Sequence, residues 1–310
     1  YLLGQSFLNP KDIPFMSVWL LCSYVSFNIF ENLIKKNTIK NSNAIILGIL
    51  TSYLLSIRIT GILILLQYLI TFIIFISSEK IDLKKFIKKF YKKLIFFIFY
   101  LLLFTYILNP IYWIKPLEIF NAIKSMSYYY HDICTETLGT CMRAKDLPAT
   151  YIPIWLSVKL PIFIIIGIFL IPFSEKKIFI NGKKNTIFGS ILITSLFIPL
   201  ILIVRNINLY DEIRHLMFLL PFLFILGTVS FYIFSKKLFY ILGVLTISIF
   251  IYENIKIYPY QYVWFNLPSR YMDLTNDFEL EYQGLSGKEI AKTISSNTKN
   301  TTCILTSPLY

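Results

Sequence analysis

The chain has 310 residues, of which 56% are apolar or aromatic and only 15% charged, with a net charge of +13 and a mean hydropathy of +0.65. Water-soluble domains carry about 25% charged residues, so one soluble domain is excluded. Disorder is excluded by 28 Phe and 22 Tyr, and a disulfide-stapled miniprotein by a complement of four Cys. A polytopic membrane protein remains.

In chain order, apolar runs predict eight crossings: Ile13 to Phe30, Ala44 to Ile57, Ile59 to Ser77, Leu94 to Leu108, Pro153 to Pro172, Ile187 to Val204, Leu216 to Phe234 and Leu238 to Tyr252. The second and third meet at Arg58, where the alternatives are a hairpin tip and one long broken helix. With the first crossing running inward, the inward connections hold 16 of the 30 Lys and Arg. The positive-inside rule therefore favours this orientation. The basic excess becomes a topology signal, and no nucleic acid is needed to explain it.

Inward, Lys84, Lys85, Lys88, Lys89, Lys92 and Lys93 are a topology anchor or an amphipathic helix on anionic headgroups. Outward lie the loop 109–152, the turn 205–215 and a tail, 253–310, that follows the transmembrane domain, 1–252. Connections this long are uncommon unless they bind or catalyse something. In the tail, Ser286 and Glu289 have capping-box spacing ahead of a helix to Ser295, and Cys303 to Thr306 reads as a strand. The tail therefore reads as the start of a small α/β unit.

Candidate chemistry sits on the outward side. Arg58, between apolar runs, costs several kcal/mol unless it reaches water, headgroups or an anion. It either snorkels or offers its fork of donors to a lipid-linked phosphate. Lys11 and Asp12, before the first crossing, form a neutralised pair or hold a hydroxyl-bearing substrate. In the turn Tyr210, Asp211, Glu212, Ile213, Arg214, His215, helical spacing puts Asp211 and His215 on one face. A solvated cap explains the two acids, which suit a helix N-terminus, better than it explains Arg214 and His215. Cys134 and Cys141 share the long outward loop as a local disulfide or as two free thiols. Two distant His and no C-x-x-C make no metal site. The outward edge is rich in aromatic residues, among them Tyr112, Trp113, Tyr128, Tyr129, Tyr130, Tyr151 and Trp155, then Tyr258, Tyr260, Tyr262, Trp264 and Phe265. They read mainly as an interfacial belt.

Taken in order, NPKDIPF (Asn9 to Phe15), SIRITG (Ser56 to Gly61), NPIYW (Asn109 to Trp113), YIPIWLSVKLP (Tyr151 to Pro161), YDEIRHLMF (Tyr210 to Phe218), YPYQYVWFN (Tyr258 to Asn266) and DFELEYQGLSGKEIAK (Asp277 to Lys292) resemble bacterial polyprenyl-phosphate-sugar-dependent glycosyltransferases of the C-type fold. That group includes protein O-mannosyltransferases and the lipid A aminoarabinose transferase. The resemblance implies an all-α membrane bundle in the bacterial inner membrane, its active site facing the periplasm. It implies inverting transfer of a sugar from a polyprenyl-phosphate donor to a glycan, lipid A or protein acceptor, with no cofactor.

In the matched motifs Asp12 is the second acidic position, Arg58 and Arg214 face the donor phosphate with Lys159 as a further candidate, and Lys11, Tyr210, Asp211, Glu212 and His215 frame the pocket. The principal base is expected upstream of Tyr1, so the chain reads as part of a longer protein and inactive alone. Where relatives often carry His-Pro, this chain has Tyr258-Pro259. The alternatives are a transporter or flippase for carrier lipid or polysaccharide, and a non-catalytic membrane scaffold. A transporter predicts internal repeats and charges through the midplane, and the sequence has neither.

Overall fold

The computed structural model describes residues 1–126, 133–174, 182–280, 284 and 286–297. The chain is mostly helical, with one two-stranded antiparallel sheet among the described residues. Among the described residues six helices are long and apolar enough to cross a membrane: Asp12–Lys36, Ile59–Glu79, Leu83–Leu108, Thr186–Val204, Arg214–Phe234 and Lys236–Lys256.

Two of the eight expected crossings are not long unbroken helices. Asn41–Ile57 is helical over only 17 residues. The run expected from Pro153 to Pro172 is broken into Tyr151–Lys159 and Ile162–Phe169. Pro161 is the cause, because it supplies no amide and forces the preceding residue out of the helical region. Leu160 is accordingly extended, at ψ 140°. The carbonyls freed by the break are taken by Asn266, whose side chain donates to Ser157 and Leu160 and whose amide donates to Val158 at 2.9 Å.

At Arg58 the structure has a hairpin rather than one broken helix. Arg58 is extended between Asn41–Ile57 and a 3-10 turn, Ile59–Ile62. Thr51 and Tyr68, one on each side of the tip, share a hydrogen bond of 3.0 Å. With no hydrophobic drive between helices in lipid, small and polar residues set the packing. Gly48, Ser52 and Ser56, four residues apart, face Leu83–Leu108. Thr105 donates to Ser52 at 3.2 Å and Asn109 to Ser56 at 2.9 Å. Elsewhere Gln67 donates to Ser23 at 2.8 Å, and Thr71 and Ser190 share a hydrogen bond. Helices Ile162–Phe169 and Leu220–Phe234 cross backbone on backbone: a Cβ at Gly167 would lie 2.1 Å from the Gly227 carbonyl oxygen. Trp19 and Phe218, with ring centroids 4.3 Å apart, sit in the apolar core.

The sheet among the described residues lies in the long loop 109–152. Cys134–Thr137 pairs with Thr140–Arg143, and Leu138 and Gly139, at φ 52° and 68°, make the doubly left-handed turn that two-residue hairpins prefer. A disulfide joins Cys134 and Cys141 across this hairpin. The tail reaches it through a bridge between Thr137 and Phe278 and a bond of 3.0 Å from the Glu279 amide to the Glu136 carbonyl. Phe278 packs edge-on to Trp155 at 5.3 Å, so tail and loop share one apolar cluster. The last long helix runs to Lys256, past the boundary expected at 252. A tail helix, Gly287–Asn297, begins one residue after Ser286. The expected strand after Thr302 and Tyr128, Tyr129 and Tyr130 lie outside the described residues.

Candidate functional site

The ends of non-consecutive elements that lie away from the lysine-dense helix start converge on Asp12. Its position is set locally by Asn9, whose side-chain oxygen accepts the Asp12 and Lys11 amides at 2.8 and 3.3 Å. That satisfies free donors at the start of the first long helix. The same amide donates to the Asp12 carboxylate at 2.8 Å. Across the bundle, Arg58 at the hairpin tip forms an ion pair with the other Asp12 oxygen. The guanidinium is therefore turned toward an anion rather than snorkelling, and Asp12 is paired with Arg58 rather than with its neighbour Lys11, which is exposed.

Arg214 completes the cluster. Its Nε lies 4.0 Å from Asp12 and its Nη1 2.7 Å from Asp211. The guanidinium sits 4.9 Å from the Tyr210 ring centroid, and the His215 ring meets that ring edge-on at 4.7 Å.

The expected helical face joining Asp211 and His215 is not formed. Asp211 and Glu212 both adopt left-handed backbone, at φ 53° and 62°, and the helical turn starts only at Arg214. Such conformations cost of order 1–3 kcal/mol each and persist where surroundings over-determine them. Here Thr135 accepts the Asp211 amide at 3.0 Å and the Tyr151 hydroxyl donates to the Glu212 carbonyl at 3.1 Å. The kink sends the two acids to different partners, Asp211 to Arg214 and Glu212 to Lys159.

Lys159, expected as a further phosphate candidate, is fully buried, its ammonium 2.8 Å from Glu212 and 3.8 Å from the Phe265 ring centroid. It supports the turn from behind, with its charge already engaged. Burial raises the Glu212 carboxyl against the pull of Lys159, and burial likewise raises Asp211 against Arg214.

Glu279 joins this acidic side. Burial, then the like charges of Asp211, Glu212 and Glu136, push its carboxyl up to about 8. Beside Lys159 opens an apolar groove of about 540 Å³, walled by Pro161, Phe163, Leu220, Phe224 and Phe250. At its outward end Glu253 accepts from Trp264 at 2.8 Å and pairs with Arg270 at 2.9 Å. Among the described residues no group of three or more His, Cys, Asp or Glu is placed to hold a metal ion.

Asp12, Arg58, Tyr210, Asp211, Arg214 and His215 are thus brought into one cluster, with Lys159 and Glu212 behind it and Lys11 at its exposed edge. Asn9, Thr135, Glu279, Glu253 and Arg270 were not foreseen as contributors. Asn9, three residues before the carboxylate that opens a helix, carried a capping signal. The partnership of Glu279 with the turn had no local signal. No protein-family model, curated protein or solved structure matches the chain.

Proposed function

We propose that this protein is a membrane glycosyltransferase that moves a sugar from a polyprenyl-phosphate donor to an acceptor at the outward face, in a bacterial inner membrane. One observation carries the reading: two guanidiniums from separate elements, Arg58 and Arg214, meet at the single carboxylate of Asp12. Neither cation is sealed off, since their side chains remain 15% and 21% exposed, so both can turn toward an incoming anion.

The chemistry asks for that arrangement. The acceptor oxygen attacks the anomeric carbon, the carbon–oxygen bond to the phosphate breaks, and the electron pair stays on the departing lipid phosphate. Preorganised cations stabilise the charge that gathers there, and a carboxylate takes the acceptor proton. Both oxygens of Asp12 are already engaged, by Arg58 and by Asn9. Its role is therefore to hold Arg58 in place, while Asp211, 2.7 Å from Arg214, holds the second cation beside it. Lys159 and Glu212 hold the turn that carries Arg214, and the adjoining groove offers an apolar wall at the depth of the spans.

The test is binding of undecaprenyl phosphate to the full-length protein in nanodiscs, for wild type, Arg58→Ala and Arg214→Ala. Each substitution is expected to weaken binding about tenfold or more, the scale of a lost charge-assisted contact, while size-exclusion behaviour is unchanged. Wild-type affinity in both well-folded variants overturns the reading.

A further inference from the structure

The lysine-dense end of the bundle, opposite the Asp12 cluster, carries a second built feature that does not depend on the transferase reading. The Leu83–Leu108 helix starts behind Asp82, whose carboxylate accepts the Lys84 and Lys85 amides at 2.9 and 3.4 Å. Its six lysines come in adjacent pairs every four residues, so at 100° per residue they occupy one half of the helix. On the other half Phe86 packs against Phe72 at 5.4 Å and Phe75 at 6.2 Å, while Ile87, Tyr91 and Leu94 are exposed. The basic segment is the continuous start of a long apolar helix and not a separate loop.

Between this helix and the inward ends of Asp12–Lys36 and Ile59–Glu79 lies a cavity of about 290 Å³. Lys85, Lys89, Asn37 and Glu79 line it, over the rings of Phe86 and Phe90. Nearby, Glu31 pairs with Lys35, Asp82 caps the helix, and Lys93 donates to Asn41. Lys85 and Lys89, one turn apart, have no carboxylate partner among the described residues.

We propose that this cavity binds the phosphodiester headgroup of an anionic phospholipid from the leaflet on the lysine-rich side. The two ammoniums exceed the single wall carboxylate of Glu79, and basic pockets between span ends suit such headgroups. The exposed Ile87, Tyr91 and Leu94 flank carries the contact on to the acyl chains, which selects a lipid over a free phosphate.

The test is native mass spectrometry of the full-length protein with cardiolipin, phosphatidylglycerol or phosphatidylethanolamine added at equal concentration. Retained cardiolipin and phosphatidylglycerol are expected, with little phosphatidylethanolamine. Lys85→Gln/Lys89→Gln should lower the anionic adducts about tenfold, whereas Lys84→Gln/Lys92→Gln, which removes the same charge away from the cavity, should keep them. Equal loss in both double variants means general charge attraction and overturns the site, as does full retention in the first. Displacement by millimolar glycerol 3-phosphate overturns the lipid assignment.

Discussion

Lys159 shows how one residue can change meaning between sequence and fold. In sequence it is a cation within the apolar run from Pro153 to Pro172, and the resemblance makes it a candidate phosphate ligand. In the structure its ammonium is walled in by Phe265 and paired with Glu212, whose backbone is itself in a costly left-handed conformation. Removing one member of a buried pair strands the other charge and costs about 3–5 kcal/mol, whereas replacing both with apolar or neutral groups costs far less. Lys159→Met is therefore expected to lower the thermal unfolding midpoint in detergent sharply, and Lys159→Met/Glu212→Gln to recover much of the loss. A double variant as unstable as the single one would mean that the pair is not what holds the turn. By the same logic Arg58 was legible as a cation that needed an anion, but its partner was not, because Asp12 lies on a different helix.

At the scale of elements, the bundle is assembled by close approach. The crossing of Ile162–Phe169 with Leu220–Phe234 leaves no room at all for a side chain: even a Cβ at Gly227 would come 2.7 Å from the Ile164 carbonyl oxygen. Overpacking ordinarily costs about 1–3 kcal/mol, and here the obstacle is backbone, which cannot rotate away. Gly167→Ala and Gly227→Leu should each destabilise by at least that amount, read as a lower midpoint or loss of monodisperse protein, while Gly287→Ala, with open space around it, should not. An unaffected Gly167→Ala would place the crossing elsewhere. Helix positions were readable from apolar runs, yet the break at Pro161 was absorbed into one expected crossing. Its rescue depends on Asn266, a residue from the distant tail.

At the scale of the molecule, loop hairpin, turn and tail are tied together around Glu279, and this gives the outward side a pH dependence of definite sign. The carboxyl rises from its ordinary 4.5 to about 8 in the folded chain, so between those values the folded state holds a proton that the unfolded state has released. The contribution of Glu279 to stability then falls as pH rises from about 4.5 to about 8 and levels off beyond. Glu279→Gln, which cannot ionise, should melt higher than wild type at pH 8 and match it below pH 4. An equally steep decline in both proteins would assign the dependence to another group.

What the sequence determined by itself is the class of molecule, because apolar runs must be removed from water, together with an uneven lysine distribution from which an orientation is expected. It also marked the residues whose placement is expensive, Asp12, Arg58 and Arg214 among them. Only the tertiary structure decided which of those charges compensate one another, that Lys159 is buried against Glu212 and Phe265, and that Glu279 and Asn266 return from the tail to the loop hairpin and to the break at Pro161. The reason is physical: periodicity and hydropathy are properties of neighbouring residues, whereas ion pairing and capping act through space between segments that the chain keeps far apart.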